Sequence, residues 1–398
     1  MSQLSLFEIT ALEGIGAYGS TAGLYDHFSR SLGLSKKDMA EKISAGKGGM
    51  VSKWRRKLRY LQQTLKHMGL IEKGAQKGSW SVTNEGKRHL TFQSPERFEV
   101  AFVTNSGIAF FGDGRNLAKV FPGEVELILT SPPYFLTKDR AYGGYGQSER
   151  QYVDTLVSMI ESWLPMLTKS GSIALNLGFS GADPLTGQSS IAPERVLIAL
   201  EDKLGLHLVQ RIVWENPAKP PSGYWTTRAR QRLTETNEMV YWLSLDPKSS
   251  KADNRRVLQP YSDKQSELMR QHSRKLSGSG RTAKPSGHSA CMDSYYADNG
   301  GAIPKTLATY SHESAHSTYS NVCKEMGLPR HPAMMPYGLA EMLIKLITEE
   351  EDLMADPCAG SLQTALAAQM NNRRWCASEL VKEYLEGAYH GRFSHVKG

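Results

Sequence analysis

The segment Val125-Glu126-Leu127-Ile128-Leu129-Thr130 runs directly into Ser131-Pro132-Pro133-Tyr134, and this junction constrains the fold more than any other stretch of the chain. A short aliphatic run bounded by turn-formers is the pattern of a strand covered on both faces, as in a parallel sheet. Neither proline can donate to a ladder and each fixes φ, so the chain must leave the sheet stiff and extended. Such a strand ends at the carboxyl edge of its sheet, where open α/β folds bind ligands. Ser131 and Tyr134 are therefore candidate functional residues, although the tetrapeptide alone reads equally well as a rigid loop.

The surrounding sequence supplies the rest of a sheet. Val100 to Val103 and Ile108 to Phe111 read as strands, the second ending at Gly112-Asp113. Gln151 to Leu167 carries Tyr152, Leu156, Met159, Ile160 and Trp163 at helical spacing. Gly171 to Leu177, Leu208 to Trp214 and Glu238 to Leu243 read as strands, with a helix over Ala192 to Leu204. After Pro332 the pattern resumes with a helix over Tyr337 to Glu349, a strand Leu353 to Ala355, a helix Leu362 to Met370 and a strand Arg374 to Glu379. This alternation predicts an α/β fold with a doubly wound, Rossmann-like sheet.

A second candidate site lies in the C-terminal part of that pattern. Asp356-Pro357-Cys358-Ala359-Gly360-Ser361 joins a strand to a helix, and the next strand ends in an acid, Glu379, at 379 − 356 = 23 residues from Asp356. Small residues let backbone approach a ligand, and an acid about 20 residues on can hold ribose hydroxyls. The loop lacks a full Gly-x-Gly-x-x-Gly, so this is the weak form of a nucleotide-binding signature.

Two regions stand outside the sheet pattern. From about Ser5 to Leu90, Val51, Trp54, Leu58, Leu61, Leu65 and Met68 recur at helical spacing, while Lys53, Arg55, Arg56, Lys57 and Arg59 fill the other positions. A Gly-rich turn and an alternating run from Ser79 to Thr83, near Gly86, follow this basic amphipathic helix, and Thr91 to Pro95 reads as a link. The arrangement resembles a winged helix, with DNA contact or packing against the neighbouring domain as its two uses. From Pro247 to Tyr319 apolar periodicity fades among Lys248, Lys251, Arg255, Arg256, Lys264, Arg270, Arg274, Lys275, Arg281 and Lys284, interleaved with Tyr261, His272, His288, Tyr295, Tyr296 and Tyr310. That composition suits a disordered insert or a nucleic-acid-reading surface.

Composition narrows the class. The 398 residues suffice for two or three domains, and a net charge of +8 favours a polyanionic partner. Cys291, Cys323, Cys358 and Cys376 show no Cys-x-x-Cys spacing, which indicates neither a zinc site nor a disulfide framework. With Glu8 and Glu13 in an N-terminus that lacks a basic leader, and no apolar run near the ~20 residues of a membrane span, a soluble cytoplasmic protein without membrane partners is expected.

Taken together, a central Ser-Pro-Pro-Tyr half and a C-terminal cofactor half separated by a basic insert resemble the circularly permuted β class of S-adenosylmethionine-dependent DNA amino-methyltransferases, over roughly residues 98–395 apart from the insert. The resemblance implies a division into 1–95 (winged-helix-like, DNA-binding), 96–246 (catalytic half), 247–320 (target-recognition insert) and 321–398 (cofactor half). It implies S-adenosylmethionine as cofactor, no metal, and double-stranded DNA as partner. A cognate restriction endonuclease, a homodimer and a bacterial, nucleoid-associated setting complete the expectation.

Residue by residue, the resemblance makes Ser131, Pro132, Pro133 and Tyr134 the catalytic motif and Asp113 the acid at the cofactor adenine. His331, Pro332 and Ala333, within His331 to Pro336, flank the methionine end; Asp356, Pro357, Cys358, Ala359, Gly360 and Ser361 form the cofactor loop; Glu379 holds the ribose. Gly171 to Leu177 and Trp214-Glu215-Asn216-Pro217 match the strands between. Cys358 stands where the family usually has phenylalanine. Lys138, Arg140, Tyr142 and Tyr145 are candidates to close over a flipped nucleotide.

An exocyclic amine is a poor nucleophile because its lone pair is delocalised, so the Ser131 hydroxyl and the Pro132 carbonyl would accept its N–H groups. Serine at the first motif position is usual for cytosine-N4 enzymes and aspartate for adenine-N6 enzymes, which puts cytosine first and keeps adenine as the alternative. Pro357-Cys358 with Glu215-Asn216 imitates the parts of a cytosine-C5 enzyme in reversed order. A DNA-binding regulator with an inert methyltransferase half is the reading from a different class.

Overall fold

In the computed structural model the described residues are 11, 15, 19–31, 35–44, 50–74, 76, 78–83, 98–135, 148–178, 183, 186–274, 297–312 and 317–394. Lys138, Arg140, Tyr142 and Tyr145 lie outside them, as do Gly86, the 91–95 link, Lys275, Arg281, Lys284, His288, Cys291, Tyr295 and Tyr296.

The N-terminal module contains helices α1 (Thr21–Ser31), α2 (Lys36–Ala40) and α3 (Lys53–His67), a hairpin of β1 (Lys42–Ser44) and β2 (Met50–Ser52), and a second hairpin of β3 (Ile71–Lys73) and β4 (Trp80–Val82). Ser52 caps α3, its hydroxyl accepting the Arg55 N–H at 3.4 Å. Leu58, Leu61 and Leu65 on the predicted apolar face pack with Leu24, Leu70, Ile71 and Trp80 into a separate small core. Arg55, Arg56 and Arg59 are exposed on the other side.

The remaining strands form one nine-stranded sheet. They are β5 (Phe98–Val103), β6 (Gly107–Gly112), β7 (Val125–Thr130), β8 (Leu167–Leu177), β9 (His207–Glu215), β10 (Asn237–Ser244), β11 (Leu307–Thr309), β12 (Leu353–Asp356) and β13 (Arg374–Glu379). Their order across the sheet is β11-β9-β10-β8-β7-β12-β13-β6-β5, with the central run from β8 to β6 wholly parallel. The flanking helices are α4 (Glu149–Glu161), α5 (Ala192–Leu204), α6 (Tyr224–Thr227), α7 (Asp263–Arg274), α8 (Thr318–Glu325), α9 (Tyr337–Ile347), α10 (Gln363–Met370) and α11 (Lys382–Ala388). One face buries α9 and α10 through Leu339, Leu343, Ala365 and Ala368; the other buries α4 and α5 through Leu156, Ile160, Val196 and Leu200. The doubly wound α/β fold expected from the alternation is thus present, and β7 is buried at all six positions.

Three differences from the sequence expectation have local causes. The helix expected to reach Leu167 ends at Glu161, and a short 3-10 turn over Leu164–Met166 follows, because Pro165 cannot continue an α-helix. The 247–319 region is not devoid of regular structure: α7 forms there, and β11 pairs in parallel with β9 at the sheet edge. A three-residue strand is too short to show a period of two. Helix α8 precedes Pro332 and was hidden because only Tyr319, Ser320 and Cys323 along it are buried.

Candidate active site

Strands β7 and β12 are parallel neighbours, yet the chain leaves them in opposite directions. From β12 it crosses through α10 to β13; from β7 it crosses through α4 to β8, and these helices cover opposite faces. Right-handed crossovers diverging in this way leave a crevice at the carboxyl ends of the two strands. A cavity of about 140 Å³ lies there, with Asp113, Ser131 to Tyr134, His331, Ala333, Pro357, Cys358 and Glu379 in its walls, and Met159, Trp163 and Tyr384 closing it. A smaller hollow beside it is lined by Asp356, Ala359, Gly360, Ser361 and Gln363, with Ser131 and His331 shared between the two.

The loop after β12 is shaped by two carboxylates. Asp356 is buried, and its Oδ2 accepts the Thr364 hydroxyl at 2.5 Å while Oδ1 accepts the Cys358 N–H at 3.1 Å. Burial pushes its carboxyl up to about 6, against the hydrogen bonds that favour the charged form. Glu379 Oε2 accepts the Gly360 N–H at 2.7 Å, and Oε1 accepts the Val381 N–H at 2.8 Å. Burial pushes this carboxyl up to about 7. Gly360 adopts φ +51°, and a Cβ there would stand 2.8 Å from His331 Nε2. At Gly360 the loop therefore has no room for a side chain, and its backbone lies directly against His331.

Asp113 follows β6 and caps the next turn, held by the Arg115 guanidinium, whose Nε donates at 2.9 Å. Gly114 presses on the Pro357 carbonyl, where a Cβ would come within 2.1 Å, so the Asp113 turn and the cofactor loop are in contact. His331 packs edge-on against Tyr384 at 4.8 Å, and burial lowers its imidazole to about 4, which keeps it neutral. Behind the loop, buried Arg392 donates to the Ser361 carbonyl at 2.9 Å and lies over the Tyr319 ring at 4.3 Å.

At the tip of β7, the Tyr134 hydroxyl donates to Glu238 Oε2 at 2.9 Å. Asn176 Nδ2 reaches Tyr134 Oη at 2.7 Å, Glu238 Oε2 at 3.1 Å and Ser131 Oγ at 3.3 Å. The Tyr134 ring lies against Gly178, where a Cβ would approach it to 2.3 Å. Burial, reinforced by the Glu238 carboxylate, holds the Tyr134 phenol well above its ordinary value, so it remains a donor. Tyr152 adds a bond from its hydroxyl to the Pro133 carbonyl at 3.0 Å.

The structure thus brings the sequence-predicted catalytic and cofactor residues to one crevice except Pro332, which lies between two wall residues without being one, while Lys138, Arg140, Tyr142 and Tyr145 lie outside the described residues. Asn176, Glu238, Gln363, Tyr384 and Arg392 were missed. The available signal was a polar residue inside an otherwise apolar strand, as with Asn176 in Ile173 to Leu177. Cys358 is in the cavity wall, but burial and the nearby carboxylates raise its thiol well above its ordinary value, the reverse of what a cysteine nucleophile requires.

This geometry agrees with what the chain resembles. A family model described as DNA methylase matches residues 125–390, and one for the Mrr N-terminal domain matches residues 6–91. The type II methyltransferase M.PvuII of Proteus hauseri is 34% identical over 287 residues, 72% of this chain and 83% of that protein. M.ScaI of Streptomyces caespitosus is 24% identical over 72% of this chain and 81% of its own. The solved structure of PvuII DNA methyltransferase (cytosine-N4-specific) superposes with a TM-score of 0.58 at 27% identity, covering 75% of this chain and 91% of that one. The chain belongs to the DNA methylase family and is an S-adenosylmethionine-dependent DNA methyltransferase. DNA is its substrate. Among the described residues, no helix is long and apolar enough to cross a membrane.

The residues present fit the cofactor. Gly360 leaves no room for a side chain beside His331, the acids Asp113 and Glu379 both line the larger cavity, and Gln363 Oε1 is a buried acceptor with no partner on a residue lining the smaller hollow. A nucleoside with an amino-acid tail needs such a set: acceptors for its hydroxyls and amines and a close backbone approach.

Proposed function

We propose that the enzyme methylates the N4 amine of a cytosine in double-stranded DNA, with Ser131-Pro132-Pro133-Tyr134 as the catalytic tip. The observation that carries this is the position of Ser131 at the carboxyl end of β7, in the wall of the same cavity as the cofactor-loop residues Pro357 and Cys358 and the acid Glu379. The serine itself, and the likeness to a methyltransferase described as cytosine-N4-specific, favour cytosine over adenine N6.

In this reading Glu379 holds the ribose hydroxyls, Asp113 the adenine amine, the 356–361 loop the nucleoside by backbone, and His331 to Ala333 the methionine end. The bound cofactor supplies an electrophilic methyl group on a sulfonium. Ser131 Oγ and the Pro132 carbonyl accept the amine N–H groups and favour a pyramidal nitrogen whose lone pair is free to attack. The Tyr134 ring stacks on the base once it is flipped from the duplex, since a paired amine is out of reach. Positioning supplies much of the rate. Ser131→Ala and Tyr134→Ala are expected to lose turnover while S-adenosylmethionine still binds in calorimetry; wild-type turnover in either would refute the assignment.

The 1–95 module is read as a winged-helix-like DNA-binding domain whose contact face is the acid-free outer side of α3. Charge reversal at Arg56 and Arg59 should weaken duplex binding and flatten its salt dependence. A 247–320 target-recognition region between the catalytic and cofactor halves completes the domain reading. A cognate restriction endonuclease is the proposed cellular partner, tested by whether this methylation protects DNA from it. A homodimer is the proposed assembly, read by light scattering with and without duplex.

A further inference from the structure

The acid nearest the proposed catalytic tip is not in the Ser-Pro-Pro-Tyr motif or in the cofactor loop. It is Glu238, two residues into β10. Antiparallel pairing places Val240 opposite Asn176 on β8, so Glu238, two positions along on the same face, is the diagonal neighbour of Asn176. The two side chains meet at 3.1 Å, and both reach the Tyr134 hydroxyl. The other carboxylate oxygen lies 3.9 Å from Lys219 Nζ, which sits in the segment after β9.

We propose that Glu238 is a positioning residue for methyl transfer: its carboxylate fixes the Tyr134 hydroxyl directly and the Ser131 hydroxyl through the Asn176 amide. This rests on the assignment of Ser131 to Tyr134 as the catalytic tip. The geometry explains why an acid is wanted. Tyr134 Oη donates to Glu238 Oε2, and the Asn176 amide has two hydrogens to share among Tyr134 Oη, Glu238 Oε2 and Ser131 Oγ. A carboxylate oxygen can accept from both the phenol and the amide, which lets one acid order two donors.

The Tyr134 ring is then clamped at two ends: its edge bears on Gly178, and its hydroxyl is tied to Glu238. A base stacking on that ring would meet a plane already set. The Ser131 oxygen is likewise held before the amine arrives, so no reorganisation is needed at the moment of transfer. A purely structural carboxylate joining β8 to β10 would affect folding and binding instead of the chemical step.

The test is single-turnover methylation at saturating S-adenosylmethionine and duplex, with calorimetric cofactor affinity and thermal unfolding measured on the same proteins. Glu238→Ala should slow the chemical step roughly 100-fold, the order of loss seen when a reacting group is misplaced by about 1 Å. Glu238→Gln, which keeps an acceptor oxygen, should lose about tenfold or less, and cofactor affinity and unfolding midpoint should stay at wild-type values in both. Tyr134→Phe removes the same tether from its other end, so the double variant Glu238→Ala with Tyr134→Phe should be no slower than the worse single variant. Wild-type single-turnover rates in Glu238→Ala, losses that multiply in the double variant, or a parallel fall in cofactor affinity and midpoint would overturn the proposal. Ser131→Ala run alongside separates the two levels: if it also methylates normally, the tip assignment fails; if it alone is inactive, only the role of Glu238 fails.

Discussion

The carboxylate of Glu379 accepts the backbone N–H of Gly360 at 2.7 Å, which ties the end of β13 to the loop after β12. Glu379 also lines the cavity proposed to take the ribose. One acid therefore holds the loop in shape and offers acceptors to the ligand.

Replacing Gly360 with alanine is expected to weaken the cofactor site from both sides. The left-handed φ of +51° is unfavourable for an L side chain, and the new Cβ would sit 2.8 Å from His331 Nε2. Together these cost on the order of 1–3 kcal/mol. If the strain falls on the bound geometry, S-adenosylmethionine affinity drops roughly tenfold or more, since each 1.4 kcal/mol is about tenfold. Calorimetric titration of Gly360→Ala reads this; unchanged affinity would show that the loop yields freely.

Folding stability should fall as pH rises through the range of Asp356 and the half-buried Glu379. Asp356 is raised to about 6 and Glu379 to about 7, so both are more easily protonated folded than unfolded. Their stabilising contribution is complete below the unfolded carboxylate range and is lost as pH climbs through 6 to 7. For Glu379 the full effect is roughly 3 kcal/mol. Glu379→Gln removes that titration, so the unfolding midpoint of the variant relative to wild type should climb from the unfolded carboxylate range up to about pH 7 and level off above it, where folded Glu379 is itself ionised. A difference that stays constant with pH would contradict the raised carboxyl.

Cys358→Ser should retain methylation. The thiol is held protonated by burial beside Asp356 and Glu379, and nothing in the proposed chemistry uses it. A loss within about threefold is consistent with a packing change alone. Complete loss of activity would restore the cysteine-nucleophile reading of Pro357-Cys358.

DNA affinity should decline steeply with salt, as for any protein that releases counterions from phosphates. A net charge of +8 makes that expectation general, and the slope measured by fluorescence anisotropy tests it. A flat slope would mean that few phosphates are neutralised.

Much of the fold was legible because burial on both faces leaves a strong mark. The helix Ala192–Leu204 was read to the residue, since Pro193 opens it and Gly205, at φ +65°, closes it. The tip Ser131 to Tyr134 and the loop at Asp356 were legible through turn-formers at strand ends. Glu238 was not, because its meaning depends on the β8–β10 register, which pairs residues about sixty positions apart and leaves no local trace. Strand β11 and helix α8 escaped for a simpler reason: a three-residue strand and a largely polar helix carry too few apolar positions to define a period.

The most direct test of the central claim is the chemistry of the product. DNA from cells expressing the enzyme, or duplex methylated in vitro, is digested to nucleosides and analysed by mass spectrometry. The account predicts N4-methylcytosine that disappears with Ser131→Ala. Finding N6-methyladenine as the sole methylated nucleoside would contradict it.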